Sequence, residues 1–210
     1  HLISIGGAVM HNLALELNYQ KRLPIIFTVM GTYSQWVEED YPKAFQYLEQ
    51  AFKISKEMND DTSLWFASFF LGIARSLNCE FEKGLEYFRK SLDLGFKAKN
   101  PIMIVFAKGL MSTFNYIFYG KADLACQLSL ESLQMAKESE DIYLKGMAYS
   151  SCGMACYCKG LFEEAENRLS QALPLCKKTA LLGWETWGTG FLGHAYVAMG
   201  NYKKALDTYS

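Results

Sequence analysis

Apolar and small residues recur along this chain with a period of about 40 residues. The small residues Ala44, Gly84, Ala125, Ala165 and Ala205 stand 40, 41, 40 and 40 positions apart, and we call them the anchors. Aromatic or small side chains precede each anchor by three positions, and mostly apolar ones follow by four. Offsets of three, four and seven place such residues on one stripe of an α-helix. The pattern therefore predicts a helical repeat that occurs about five times.

Turn and capping residues divide each repeat into two helices. Side-chain oxygens can accept the free N–H groups of a first helical turn, and the predicted caps of first helices are Asp61 or Thr62, Asn100 and Asp141. The second repeat is predicted to break near Asn78 and Cys79. Glycines mark the ends of the first helices in the last three repeats: Gly120, Gly160 and Gly200.

A second set of small residues lies twelve positions before the anchors. It consists of Gly72, Gly153 and Gly193, with Thr32 and Thr113 in the two weaker repeats. A residue without a Cβ lets two antiparallel helices approach closely, so these positions are predicted crossing points within each helix pair. A single pair cannot bury its own apolar face, and neighbouring pairs are therefore expected to stack.

The same pattern predicts the domain organisation. We expect a single solenoid over residues 1–210, because the chain contains no linker or low-complexity tract. The predicted repeats cover 22–58, 61–98, 100–138, 141–178 and 180–210, and residues 1–19 are predicted to be the second helix of a preceding repeat. Since the chain opens at His1 and stops within a periodic segment, it is expected to be a piece of a longer polypeptide.

These residues together resemble the tetratricopeptide repeat. The fifth repeat matches the spacing of that family best, through Leu192, Gly193, Tyr196, Gly200, Tyr202, Ala205 and Tyr209. The period is longer than the usual repeat of about 34 residues, so the helices are expected to be longer by up to a turn. Long repeats of this kind are similar to those of kinesin light chains and of bacterial signalling proteins. HEAT and armadillo repeats share the period but lack this spacing of small and aromatic residues.

The resemblance implies an all-α fold, an α-α superhelix in which first helices line a concave surface that binds ligands. Helical offsets place ten residues on that surface as candidate partner-binding residues: Phe66, Phe69, Ile73, Leu110, Phe114, Phe118, Met154, Tyr157, Trp187 and His194. The first helices are apolar nearly all round, which leaves two alternatives. Either the chain buries this face against itself, or the face is an open groove for an amphipathic or apolar segment of a partner.

Composition and charge narrow the classes of partner. Half of the residues are apolar, and 21 basic residues balance 22 acidic ones to give a net charge of −1. This balance provides no basic face for nucleic acid. No apolar run approaches the roughly 18 residues that span a bilayer, so no membrane partner is expected. The six cysteines are expected to be reduced thiols, and the protein is predicted to be cytoplasmic.

No constellation of residues indicates catalysis or cofactor binding. The histidines His1, His11 and His194 have no companion at metal-ligand spacing, and Cys152, Cys156 and Cys158 are interpreted as small packing residues rather than metal ligands. No phosphate-binding loop or catalytic triad occurs. The sequence thus predicts a non-catalytic scaffold that binds a protein or peptide and requires no cofactor. The alternative is a regulatory sensor or coupling arm of a larger bacterial signalling protein, and self-association through the solenoid ends is left open.

Overall fold

The computed structural model describes residues 20–209, and within this range all regular structure is helical. The helices are α1 (Leu23–Trp36), α2 (Tyr41–Glu57), α3 (Asp61–Leu77), α4 (Phe81–Lys97), α5 (Pro101–Met111), α6 (Ala122–Glu138), α7 (Ile142–Cys158), α8 (Phe162–Lys178), α9 (Leu182–Ala198) and α10 (Tyr202–Tyr209). A 3-10 turn (Gln20–Arg22) precedes α1, and a π-helix (Ser112–Ile117) continues α5. The predicted all-α class is confirmed. The helix predicted for residues 1–19 lies outside the described residues.

The helix lengths account for the unusual period. α3 and α4 have 17 residues each, and the turns that follow them, 78–80 and 98–100, have three residues each. Two such helices and two such turns make one period. α7, α8 and α9 are also 17 residues long. The expectation that longer helices, rather than longer turns, extend the repeat is thereby confirmed.

The chain contains two compact units, with the boundary between Lys99 and Asn100. In the N-terminal unit α1 pairs with α2 and α3 pairs with α4, while α2 packs on α3. In the C-terminal unit each helix from α5 to α10 packs against the next. None of the described helices combines the length and the apolar character that crossing a bilayer requires.

Capping side chains begin the first helices largely as predicted. Asn100 Oδ1 accepts from Ile102 N at 3.0 Å, and Asp141 Oδ1 accepts from Tyr143 N at 2.8 Å, which confirms both caps. The cap of α3 is Asp60, whose Oδ1 accepts from the backbone N–H groups of the second and third helical residues at 3.1 Å. The prediction of Asp61 or Thr62 was therefore wrong by one or two residues, because both already lie inside the helix.

Most turns between the described helices place one residue in the left-handed conformation, and the turn at 139–141 is the exception. Gly120, Gly160 and Gly200 have φ of 73°, 81° and 73°, which confirms the three predicted glycine ends. The break predicted at Asn78 and Cys79 is also confirmed, although Cys79 has to adopt a φ of 61° that glycine adopts more easily. In other turns a non-glycine residue also adopts the left-handed conformation: Glu39, Asn59, Lys99 and Ala180.

The helices of a pair cross at small residues. A Cβ added to Gly72 would stand 2.9 Å from the Phe88 ring, and one added to Gly153 would stand 2.5 Å from Leu169 Cγ. Each of these second-helix residues lies four positions after its anchor. The helices therefore approach so closely that any side chain at the two glycines would collide with the partner helix.

The two threonine positions predicted for the weaker repeats were wrong by one residue. In the first repeat Gly31 lies at the crossing, and a Cβ there would stand 2.7 Å from Leu48 Cγ. In the third repeat the Ser112 hydroxyl donates to the Ala125 carbonyl at 2.8 Å, and Thr113 Oγ1 instead lies 3.0 Å from Ser151 Oγ on α7. Both repeats have a four-residue turn, 37–40 and 118–121, and the additional residue shifts the crossing by one position.

Candidate functional site

The first helices of successive repeats pack side by side within each compact unit. α1 contacts α3 in the N-terminal unit, and α7 contacts both α5 and α9 in the C-terminal unit. We call the surface formed by these helices in a unit its first-helix face. Each unit has an open apolar cavity on this face, and these cavities are the candidate sites.

The cavity of the C-terminal unit, which we call the Trp187 cavity, has a volume of about 340 Å³. Residues of the third and fifth repeats line it: Thr113, Ile117, Phe118, Thr186, Trp187, Gly190, Phe191 and His194. Its lining contains no Asp, Glu, Lys or Arg, and its polar side chains are two threonines and one histidine. Phe118 is 53% exposed. An uncharged, aromatic cavity of this kind suits an apolar group rather than a charged one.

A π-helix shapes one wall of the Trp187 cavity. α5 ends at Met111, and the wider π-helical turns extend over Ser112–Ile117. Asn115 lies fully buried within this segment, whereas Phe118, directly after it, is exposed. Single π-helical turns within α-helices are frequent at functional sites because they redirect the side chains that follow. Sequence periodicity gave no signal for this segment.

Aromatic rings of the third and fifth repeats meet beside the cavity. The ring centroids of Phe114 and Trp187 are 4.8 Å apart, with the planes inclined by 48°. Met154 of α7, in the repeat between them, is 0% exposed and belongs to a buried cluster against which Ile117 and Trp187 pack. Met154, on the first helix of the fourth repeat, is therefore covered by side chains of its neighbours.

A row of rings leads from the Trp187 cavity toward α10. Tyr157 lies 5.4 Å from Phe191 and 6.1 Å from His194, measured between ring centroids. His194 in turn lies 6.2 Å from Tyr209. Tyr157 is half-buried and His194 is exposed, so part of each residue is accessible beside the cavity.

The cavity of the N-terminal unit, the Trp36 cavity, has a volume of about 270 Å³. Residues of α1, α3 and the turn after α1 line it: Val29, Thr32, Tyr33, Trp36, Val37, Phe66 and Phe70. Trp36 is 44% exposed. Of these residues the sequence had indicated only Phe66. Trp36 was missed because no candidate residues were assigned to the first repeat, whose inter-helix turn at 37–40 is acidic and lacks a glycine.

The structure divides the ten candidate residues into two sets. Four line the cavities, namely Phe66, Phe118, Trp187 and His194, and Tyr157 lies beside them. Five are buried inside their units and have almost no accessible surface to offer a partner: Phe69, Ile73, Leu110, Phe114 and Met154. Phe69 shows the reason, since its ring centroid lies 4.8 Å from Trp65 and 4.5 Å from Phe70. Buried residues and cavity-lining residues thus occur on the same helices, about one turn apart.

The cysteines of α7 differ in environment. Cys152 and Cys156 are buried, and the latter approaches Cys126 of α6, whereas Cys158 is exposed. Partial desolvation by neighbouring side chains raises the pKa of the Cys158 thiol, although the residue as a whole is exposed. Among residues 20–209, no group of three or more His, Cys, Asp or Glu side chains is arranged to hold a metal ion.

Comparison with known proteins supports the fold. No protein-family model matches the chain, and no curated protein matches it in sequence. Several solved structures match in three dimensions. The structure of a Rap protein complexed with Competence and Sporulation Factor gives a TM-score of 0.76 at 18% identity, over 89% of this chain and 52% of that one. This chain therefore spans about half the length of the Rap chain.

Two further structures match over most of both chains. BtubC (BKLC) from P. vanneervenii gives a TM-score of 0.70 at 17% identity, over 98% of this chain and 86% of that chain. The Podosopora anserina putative kinesin light chain, with nearly identical TPR-like repeats, gives 0.62 at 17% identity, over 92% of each chain. At these identities the similarity establishes the fold. The resemblance to the tetratricopeptide repeat is confirmed at that level.

Proposed function

We propose that this chain is a non-catalytic scaffold that binds a protein or peptide through its first-helix face. The observation that carries the proposal is the Trp187 cavity, an open apolar depression beside an exposed phenylalanine. Aromatic side chains in such depressions commonly dominate binding energy at protein interfaces. The proposed contact residues are the accessible members of the predicted set. In the C-terminal unit they are Phe118, Tyr157, Trp187 and His194, and in the N-terminal unit Phe66 lines the separate Trp36 cavity.

The size and lining of the cavity favour one class of partner. A volume of about 340 Å³ is at the low end of small-molecule sites. It accommodates one or two large apolar side chains, such as those that an amphipathic helix or extended peptide presents. Thr113, Thr186 and His194 supply hydrogen-bonding groups that can orient the backbone or a polar neighbour of those side chains. A strongly charged segment would find no counter-charge in the lining.

The proposal is tested by selecting ligands from a library of short random peptides displayed on phage. Enriched peptides are then measured against the Phe118→Ser and Phe96→Ser variants. Phe118 and Phe96 are each 53% exposed, but Phe118 lines the Trp187 cavity and Phe96 does not. We expect Phe118→Ser to weaken binding about tenfold or more, a loss of roughly 1.4 kcal/mol, and Phe96→Ser to leave it unchanged.

Selection of peptides that bind both variants equally would contradict the placement of the site. Failure to enrich any apolar peptide would contradict the peptide-binding role itself. Thermal melts of both variants serve as the folding control, because each replaces a half-exposed ring and should leave the core intact.

One structural neighbour bears on the regulatory alternative. It is the Rap protein, which is complexed with Competence and Sporulation Factor in its solved structure. If this chain is the sensor or coupling arm of a larger bacterial signalling protein, the Trp187 cavity is the place where we propose that a ligand acts. The sequence encoded on either side of residues 1–210 tests this alternative directly.

A further inference from the structure

Two cysteines that are distant in sequence approach each other between neighbouring helix pairs. Cys126 lies on α6 and Cys156 on α7, and their Sγ atoms are 3.9 Å apart. α6 is the second helix of one repeat and α7 the first helix of the next, and the two helices pack together. A disulfide bond has a length of about 2.05 Å, so the two sulfurs would have to come closer by roughly 1.9 Å to be joined.

Neighbouring groups distinguish this pair from the other thiols. A hydrogen bond between the Cys152 and Cys156 side chains lowers the pKa of Cys152 and raises that of Cys156. The Lys159 ammonium, held by Asp123 at 2.9 Å, interacts electrostatically with both Cys126 and Cys156. A positive charge at this place attracts the negative charge that a sulfur carries while it reacts.

We propose that Cys126 and Cys156 form a reversible disulfide when the protein meets a peroxide. The Cys126 thiolate attacks hydrogen peroxide, an S–O bond forms, the O–O bond breaks, and the departing hydroxide leaves as water after protonation. Cys156 then attacks the sulfenic acid at Cys126, so that an S–S bond forms and the S–O bond breaks. The Cys156 proton passes to the departing oxygen, which leaves as a second water. The two thiols are oxidised and one peroxide is reduced.

The geometry assigns the roles of the three sulfurs. Both sulfurs belong to buried residues, Cys126 being 5% and Cys156 2% exposed, and we assign the first attack to the slightly more accessible Cys126. Cys152 lies one helical turn before Cys156 on the same helix, and a disulfide between these two would constrain nothing beyond α7. The bond between Cys126 and Cys156 instead closes a loop between residues 30 positions apart and ties two consecutive repeats together.

The test treats the full chain with a small excess of hydrogen peroxide. Remaining thiols are then alkylated under denaturing conditions, and the peptides are mapped by mass spectrometry without reduction. We expect a cross-linked peptide containing Cys126 and Cys156, which dithiothreitol removes. The melting temperature of the oxidised protein should rise by about 5–10 °C, because the bond restricts the unfolded chain.

Three variants control the assignment. Cys126→Ser and Cys156→Ser should each abolish both the cross-link and the rise in melting temperature. Cys152→Ser keeps a hydrogen-bonding group and should retain both, as should a further variant, Cys158→Ser, which changes an exposed thiol on the same helix. Oxidation that yields only Cys158 or Cys79 products, a cross-link to Cys152, or no cross-link at all would overturn the proposal. The wild-type peptide map gives this answer even if a serine variant folds poorly.

Discussion

Phe114 and Trp187 belong to the third and fifth repeats, yet their ring centroids lie 4.8 Å apart. The repeat between them contributes Met154 of α7, which is completely buried. Trp187 also packs against the buried cluster that contains Met154, and the adjoining Trp187 cavity stays open. Phe114 is therefore a residue that supports the fold, whereas Phe118, at the cavity, is available to a partner.

We first predict that Phe114→Ala is a stability variant. Phe114 is only 8% exposed, so its removal leaves a void beside Trp187. The free energy of unfolding should fall by about 3–5 kcal/mol, whereas Phe118→Ala should change it by about 1 kcal/mol or less. Urea unfolding followed by circular dichroism measures both. Equal losses for the two variants would contradict the distinction between core and cavity rim.

A second prediction concerns the crossing of α7 and α8. Gly153→Ala would place a Cβ 2.5 Å from Leu169 Cγ, whereas a Cβ at Gly183 has open space around it. Gly153→Ala should destabilise the protein by about 1–2 kcal/mol, because the collision outweighs the better helix propensity of alanine. The matched Gly183→Ala change, in the first turn of α9, should stabilise by up to about 1 kcal/mol. Thermal melts that rank the two variants in the opposite order would refute the close crossing.

Left-handed turn residues provide a third prediction. Ala180 has a φ of 54° and Gly160 a φ of 81°, each at the turn after an α-helix. Alanine is strained in this region and glycine is not, so Ala180→Gly should raise the free energy of unfolding by about 0.5–1 kcal/mol. Gly160→Ala should lower it by about 1 kcal/mol, although a Cβ there meets no atom within 4 Å. Urea midpoints of the two variants should move in opposite directions.

The fourth prediction is a pH dependence at the turn between α3 and α4. Hydrogen bonds from Lys83, Asn78 and Arg75 lower the pKa of Glu80 from 4.5 to about 2. Since the folded pKa is depressed, the carboxylate stabilises the fold fully above the unfolded pKa of 4.5, and this contribution is lost as pH falls toward about 2. The urea midpoint of Glu80→Gln should therefore fall less steeply over this range than that of the wild type.

Asn78→Ala provides an internal control for that experiment. It removes one donor, whose Nδ2 lies 2.8 Å from Glu80 Oε1, and leaves the lysine and arginine contacts in place. Its pH dependence should lie between those of wild type and Glu80→Gln. If all three proteins lose stability in parallel on acidification, other carboxylates govern the acid response.

The ends of the helices could be predicted from the sequence, because caps and turn glycines act on nearby residues. Which residues of a helix face are buried could not be predicted. Asn100, Asp141 and Gly160 act on the backbone within a few residues of themselves, so their effects were visible in the sequence. The burial of Phe69 depends on rings of its own helix and on packing against neighbouring ones, while Phe66, three residues earlier, remains at a cavity. Helical offsets assign both to the same face, and only their packing distinguishes them.

The sequence by itself determined the repeat, its 40-residue period and the all-α class, because these follow from spacing within a single helix pair. Tertiary structure decided three features that depend on how helices pack. These are the shift of the first crossing to Gly31, the π-helix that precedes Phe118, and the meeting of Cys126 with Cys156. One additional turn residue shifts a helix by one residue relative to its partner helix. Side chains from separate repeats become neighbours only after the helix pairs have stacked.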